Sequence, residues 1–507
     1  MSITMETISA NTPEGAGAPE ASGVPGEEAE PVAGGAPGAG EATKADSSPK
    51  AGGPGGSSLG RQMLKYTIPA IVSNTVNATY NLVDQVIIGN AVGMLGIAAT
   101  NVAFPLTPIT SAVGYLLGTG GASNFSLKLG EGDREQANRY AGNTLSLSII
   151  VGTIIAAAVL LFLKPLVHAF GSTDTVWPYA VTYTRIVAIG IPFGIFTMGA
   201  SAFIRADGSP RYSMWCTLTG AIINLVGDPI AVFVFGWGIA GVAWATTISQ
   251  ITTAVIAVYY FVKKAKIVSI RSRNLIPRMD LTKRTCALGS TPAINQVGIS
   301  ILQIIMNNTL RYYGGLSVYG SDIPLGCVGA ISKLNVIFTS LNIGIGQGCQ
   351  PIIGFDYGAK NYARVKRALK IMLIAAGIIS FSAFAVFQIF PHGLMRIFGE
   401  DDPLYLEFAV HYLRVFMFMI FLSGVQPIAA TFFPSIGKGA RGLWISLSRQ
   451  VLFIMPLVLI LPLFYGLEGA VIAGPISDFC AASVSTLLIV IEVRKMSALQ
   501  ALRPPGT

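Results

Sequence analysis

From Leu59 to Arg494 the chain is a succession of apolar runs, each long enough to cross a bilayer as a helix, for which about 20 residues suffice. Twelve such segments are expected, at roughly 62–89, 96–124, 136–163, 175–204, 209–233, 239–263, 284–312, 322–352, 364–391, 403–432, 439–463 and 468–494. In hydrocarbon each backbone polar group must find its partner within the segment, so the expected fold is an all-α polytopic membrane protein. Composition agrees. Hydrophobic residues make up 52% and charged residues only 12%, about half the charged share of a soluble protein.

The basic residues then sort by side. Loops on one side hold Lys128, Arg134 and Arg139, then Arg205 and Arg211, then the dense run from Lys263 to Arg284. The same side continues with Lys360, Arg364, Lys366, Arg367, Lys370, Lys438, Arg441, Arg494 and Lys495, while alternate loops hold little beyond Lys164, Arg311 and Arg396. This asymmetry predicts an even number of spans with both termini in the cytoplasm. The net charge of +9 is therefore a sign of topology. Nucleic acid is not an expected partner, because such short loops supply no aromatic-basic face. Residues 1–58 are Ala, Gly, Pro, Ser and Glu with almost no large apolar side chain, which predicts a disordered cytoplasmic tail. They show no signal-peptide pattern. Five cysteines (Cys216, Cys286, Cys327, Cys349 and Cys480) are scattered mostly through apolar runs, as expected of reduced, buried thiols. His168, His392 and His411 form no ligand cluster.

The basic stretch divides the spans six and six, and the halves are related. Gly118, Gly120, Gly130, Asp133 and Arg139 match Gly346, Gly348, Gly358, Asn361 and Arg367 at a constant offset of 228. The segments 238–243 and 466–471 match at the same offset, and Arg185 matches Arg414 at 229. The expected organisation is a first lobe over 59–263, a basic cytoplasmic linker over 264–283, a second lobe over 284–495 and a short cytoplasmic tail over 496–507. Two like-oriented repeats with a polar site between or within them are the architecture of a secondary transporter working by alternating access.

The polar residues inside the spans carry the functional signal. In the first span, Asn77, Tyr80, Asn81 and Asp84 recur at helical spacing and share one face, with Pro69 at the entry where it can bend the helix. A polar stripe ending in an acid must look into protein or water. A buried acid paired for packing is the alternative. The fifth span places Asn224 and Asp228 four apart, and the sixth carries Thr246; their counterparts are Leu452, Pro456 and Gly474. Aligning Pro69 with Pro292 pairs Asp84 with Asn307, so the second half has no equivalent acid. Two carboxylates facing one cavity repel when both are ionised. Such a pair can hold a proton, or a sodium ion ligated by carboxylate, amide and hydroxyl oxygens, and can exchange one for the other. The second half keeps Lys333, Arg449 and Asp478 within its spans. Lys333 and Asp478 lie at similar depth and could meet, in a network that neutralises the half, with substrate contact as the alternative. No hydrolase triad, Walker loop, metal-ligand spacing or dinucleotide motif appears, so no enzyme is expected. Gly118-Thr119-Gly120 reads as close helix packing, and an ion gradient is the available energy source.

Four stretches carry a resemblance: YNLVD from Tyr80 to Asp84, IRADG from Ile204 to Gly208, the Asn224 and Asp228 pair, and PIIGFDYGAK from Pro351 to Lys360. In these the chain resembles the multidrug and toxic compound extrusion (MATE) transporters, from Leu59 to Arg494. The resemblance implies two six-helix lobes in a V, opening alternately to each side, with cation-driven export of amphipathic, often cationic compounds. It implies a first-lobe cation site of Asp84, Asn224, Asp228 and Thr246, with Tyr80 nearby and Pro69 at the bend of the first helix. One branch of the family places a further coupling acid in the seventh span. This chain has Gln296, Ser300 and Asn307 there, and so looks like the branch that relies on the first lobe. The expectation is a plasma-membrane protein, acting as a monomer among lipid on small organic molecules, with a proton or sodium as coupling ion and no other cofactor. A flippase of lipid-linked saccharides shares the architecture but lines its cavity with basic residues. Asp84 and Asp228 speak against it, while Lys333, Arg414 and Arg449 keep it open.

Overall fold

The computed structural model describes residues 58–396 and 403–502, apart from the side chains of residues 81, 82, 86, 90, 91 and 94. The expected tail, up to residue 57, lies outside this range. Apolar runs without a competing alternation become helices, and no strand occurs among the described residues. The first span is Leu59–Val92. The second is a short helix, Met94–Ala103, followed by Leu106–Gly130. The third is Arg134–Leu161, the fourth Trp177–Ala206, the fifth Pro210–Pro229 and the sixth Gly238–Tyr259. The seventh to ninth are Met279–Gly315, Asp322–Gly358 and Tyr362–Ile389. The tenth is broken into Pro403–Phe416 and Ile420–Ser435, bent by 49°. The eleventh covers Gly439–Tyr465 and the twelfth Leu467–Ala501.

Among the described residues nine of these helices are long and apolar enough to cross a membrane, ten with the bent pair. The first and seventh fall short of that test, although they are 34 and 37 residues long. They are the opening helices of the two repeats, and their polar side chains are the reason. Exposed residues such as Leu161, Phe233 and Leu463 cover the outside, as a lipid-facing surface requires.

The repeat is written into the backbone. Asp133 caps the third span by accepting a hydrogen bond from the Gln136 amide at 2.9 Å. Asn361 caps the ninth span the same way, with the Arg364 amide at 3.3 Å. One residue earlier, Gly132 (φ 86°) and Lys360 (φ 58°) occupy the same left-handed turn position. Each lobe has its own core, around Phe125, Phe203 and Tyr260 in the first and around Phe387, Phe408 and Tyr412 in the second.

The lobes meet backbone to backbone through the glycines of the repeat. A Cβ at Gly120 would stand 2.0 Å from the Thr285 carbonyl oxygen, and one at Gly348 would stand 2.6 Å from Thr67 Cα. Gly130 and Gly358 are equally crowded, against the carbonyls of Phe355 (2.1 Å) and Leu127 (2.2 Å). The Gly-Thr-Gly motif is thus a helix-packing element, as its place within an apolar run predicts. Polar ties reinforce the contact. Gln350 Nε2 donates to Ser123 Oγ at 2.7 Å and to the Thr119 carbonyl at 3.1 Å. Asn74 Nδ2 donates to Gln347 Oε1 at 3.2 Å, and Asn124 Nδ2 to the Arg284 carbonyl at 3.3 Å. These contacts gather at the end of the bundle where the 264–283 connection runs.

That connection is not a free linker. Asp207, at the end of the fourth span and fully buried, accepts from the Tyr260 hydroxyl (2.5 Å) and from the amides of Lys266 (2.7 Å), Ile267 (2.6 Å) and Val268 (2.7 Å). Further along, Asn138 Oδ1 and Asn143 Oδ1 accept from the amides of Ser269 (2.8 Å) and Arg278 (2.7 Å). The seventh span starts at Met279, before the expected boundary, and the last helix runs past 495 to Ala501 because Met496 is buried in the second-lobe core.

Candidate functional site

Asp84, Asn224, Asp228 and Thr246 come from the first, fifth and sixth spans and converge inside the first lobe. Asn224 and Asp228 are buried, Asp84 and Thr246 half-buried. The Asn224 amide ties the group, donating from Nδ2 to Thr246 Oγ1 at 3.1 Å and to Asp228 Oδ1 at 3.4 Å. The Asp84 and Asp228 carboxyls lie within hydrogen-bonding reach of each other. Among the described residues no lysine, arginine or histidine forms an ion pair with either carboxyl. Asp84 Oδ1 and Asp228 Oδ2 are buried without a hydrogen-bond donor among the described residues. A buried anionic oxygen with no donor is costly, so the pair calls for a positive occupant. A proton between the carboxyls fits. So does a sodium ion, for which two carboxylates and a hydroxyl supply hard oxygen ligands.

Pro69 lies ten residues inside its helix, deeper than the entry position expected, because the helix begins at Leu59. An interior proline removes a backbone hydrogen bond and marks the place where the span can bend. Ser73 Oγ and Asn74 Nδ2 bond back to the carbonyls of Pro69 and Ala70, both at 2.9 Å, in the turn that follows. Asn77 is exposed and Tyr80 half-buried on the same helix; the Asn81 side chain lies outside the described residues.

The family model described as MatE matches residues 69–230 and 295–460, one stretch in each repeat. The chain belongs to the MATE family. Curated relatives of this MATE transporter include multidrug export protein MepA of Staphylococcus aureus (strain NCTC 8325 / PS 47), 23% identical over 432 residues, covering 85% of this chain and 93% of that one. MepA of Staphylococcus haemolyticus (strain JCSC1435) is 24% identical, covering 85% and 94%. Among solved structures, one described as the outward-facing conformation of a multidrug resistance MATE family transporter superposes with a TM-score of 0.81 at 22% identity, covering 87% of this chain and 97% of that one. A transporter from Pyrococcus furiosus, described by the reverse polarity of its binding pocket, gives 0.80 at 22% identity over the same shares. These likenesses establish the twelve-helix, two-lobe fold.

In the second lobe of this MATE protein, Arg449 Nε donates to Asp478 Oδ1 at 2.8 Å. Arg449 sits in a π-helical turn, Ser448–Ile454, within the eleventh span. The expected meeting of Lys333 with Asp478 does not occur: Arg449 takes the acid, and Lys333 is exposed on the eighth span. Similar depth in two spans does not make them neighbours, and nothing in the local pattern says which spans touch.

Sequence reasoning missed Tyr183, which the fourth span brings beside Asp84, Asp228 and Tyr80, packed on Ile88, Val232 and Val242. It also missed what the charged residues of the family motifs do. Asp207 of IRADG holds the connection between lobes, and Asp356 of PIIGFDYGAK lies 3.0 Å from Arg364, which in turn donates to Gln62 of the first span. Glu492, also buried, is held by Lys438 and Arg441. An acid within one of the family-like motifs at a span's end is the signal the sequence offers.

Proposed function

We propose that this MATE transporter is a cation-coupled antiporter that exports small amphipathic or cationic organic compounds by alternating access. Asp84, Asn224, Asp228 and Thr246 are the coupling site, occupied in turn by a proton or sodium ion and vacated as substrate is carried. The observation that carries the reading is the pair of facing carboxyls, which among the described residues have donorless oxygens and no basic partner. Pro69, Asn77, Tyr80 and Asn81, all on the first span, serve the transport cavity or its gating. The positive-inside pattern supports placing the end where the lobes meet on the cytoplasmic side of a plasma membrane. A saccharide-lipid flippase is less well supported, because Asp478 neutralises Arg449 and so removes one of the basic groups it would need.

The test is efflux from a pump-deficient host with sodium and pH varied independently. Asp84→Asn and Asp228→Asn, which remove charge at constant size, are expected to insert normally and to lose at least tenfold in export rate. Full export by either variant across pH 6 to 8, roughly the range a paired carboxyl can reach, would remove that acid from the coupling site.

A further inference from the structure

We propose that the connection between the repeats and the opening turns of the third and seventh spans form a binding site for the phosphate headgroup of an anionic phospholipid. The lipid belongs to the leaflet that the basic loops face.

Two close fits build the site. A Cβ at Gly142 of the third span would stand 2.4 Å from the Asn274 carbonyl oxygen, so the connection lies directly on that helix. Asn143 holds it from the next position: Oδ1 accepts from the Arg278 amide at 2.7 Å, and Nδ2 donates to Thr282 Oγ1 at 3.3 Å. Beside these contacts lies a cavity of about 290 Å³, walled by Arg139 and Tyr140 of the third span and by Arg278, Asp280 and Arg284. A second cavity, of about 200 Å³, shares Arg139 and Arg278 and adds Arg273 and Ile276.

Guanidinium groups dominate both walls. Arg139 is bonded to Glu135 on its own helix and Arg278 to Asp280, in partly exposed pairs that contribute little and leave donors to spare. Arg273 and Arg284 form no ion pair among the described residues. Four guanidiniums against two carboxylates leave a net charge of +2 on one small patch. Tyr140 adds an independent sign of an occupant. It is fully buried, it lines the first cavity, and its hydroxyl has no hydrogen-bond partner among the described residues. A buried hydroxyl left so is costly, and a phosphate oxygen satisfies it. Depth and surroundings favour lipid over a soluble phosphate. Arg139 and Arg284 each lie five residues, about 8 Å, past the start of helices 28 and 37 residues long. About 20 residues cross the hydrocarbon, so these opening turns stand in the headgroup layer. Leu275, Ile276 and Met279 are exposed on the same stretch. Apolar side chains interleaved with arginines suit a surface that grips a headgroup and rests on acyl chains.

The test uses the purified full-length protein in detergent and follows thermal unfolding while dioctanoyl phosphatidylglycerol is titrated in. A ligand held only by the folded state raises the melting temperature in proportion to its occupancy. Phosphatidylglycerol is expected to raise it, and neither dioctanoyl phosphatidylcholine nor glycerol phosphate at the same concentrations. Arg273→Gln combined with Arg284→Gln is expected to raise the half-saturating concentration about tenfold, the loss of charge-assisted contacts. Tyr140→Phe is expected to raise it about threefold, the value of one neutral hydrogen bond, and it removes no bond from the free protein. Lys263→Gln combined with Lys264→Gln takes the same charge from a place outside both cavities, and should leave the concentration within about twofold. Unfolding without lipid shows whether each variant folds, and if the arginine variant does not, the tyrosine variant decides. No shift with phosphatidylglycerol, an equal shift with phosphatidylcholine, unchanged half-saturation in the cavity variants, or an equal loss in the lysine variant overturns the proposal. A shift from glycerol phosphate as large as that from phosphatidylglycerol overturns the lipid assignment and gives the cavity to a soluble phosphate.

Discussion

Two ionisable pairs in this membrane bundle obey opposite rules. Asp84 and Asp228 face each other with no cationic side chain paired to them among the described residues, whereas Arg449 and Asp478 are salt-bridged at 2.8 Å and satisfy each other. On the proposed reading the first arrangement takes an exchangeable ion; the second has no such need, and its removal should be felt in stability. Arg449→Leu leaves the mostly buried Asp478 carboxylate uncompensated, at a cost of roughly 3 kcal/mol. Thermal unfolding in detergent should show that loss, and the double variant Arg449→Leu with Asp478→Leu should recover most of it. A single variant as stable as wild type, or a double variant no better than the single, would contradict a structural role. At this scale the sequence was legible where partners are close along the chain. Asn224 and Asp228 are one helical turn apart, and their absence from the second repeat marks them out. Tyr183 and the true partner of Asp478 were not legible, because both depend on which helices are neighbours.

At the scale of elements, the strap between lobes is the least expected feature. A run of eight basic residues reads as a solvated linker, yet its start is pinned by a single buried carboxylate that accepts three consecutive backbone amides. Those partners lie 59 to 61 residues away in sequence, beyond the reach of any local pattern. Asp207→Ala should release the strap without unfolding the spans. Limited digestion with trypsin reads this directly: cleavage between Lys263 and Arg284 should accelerate at least tenfold while the lobes stay intact. Wild-type cleavage rates in the variant would show that the amides are held by something else. The spans themselves were read to within a few residues, since each is set by an apolar run that hydrocarbon forces into a helix. Their ends moved where tertiary packing extended them, as Met496 does for the last helix.

At the scale of the molecule, the two repeats meet at one end through glycines, and alternating access requires that contact to part. Thr67 Oγ1 lies 3.3 Å from Cys349 Sγ across it, so Thr67→Cys puts two thiols within bonding reach. Mild oxidation of that variant should cross-link the lobes and stop transport, and a reducing agent should restore it. Undiminished transport by the cross-linked protein would show that this contact does not open during the cycle. The repeat was visible in sequence through its glycines and caps; the side on which the lobes touch was not, because glycine spacing records proximity without orientation. The confinement of the acid pair to one lobe has a further consequence, in stoichiometry. If the proposed coupling ion is a proton, two carboxyls can carry at most two per cycle, and each unit of pH difference supplies about 1.4 kcal/mol per proton. Before membrane potential is counted, a one-unit gradient can therefore sustain at most about a hundredfold substrate ratio across the membrane, however tightly the cleft binds. A second acid pair in the other lobe would have squared that ceiling; this chain has placed asparagine and proline there instead.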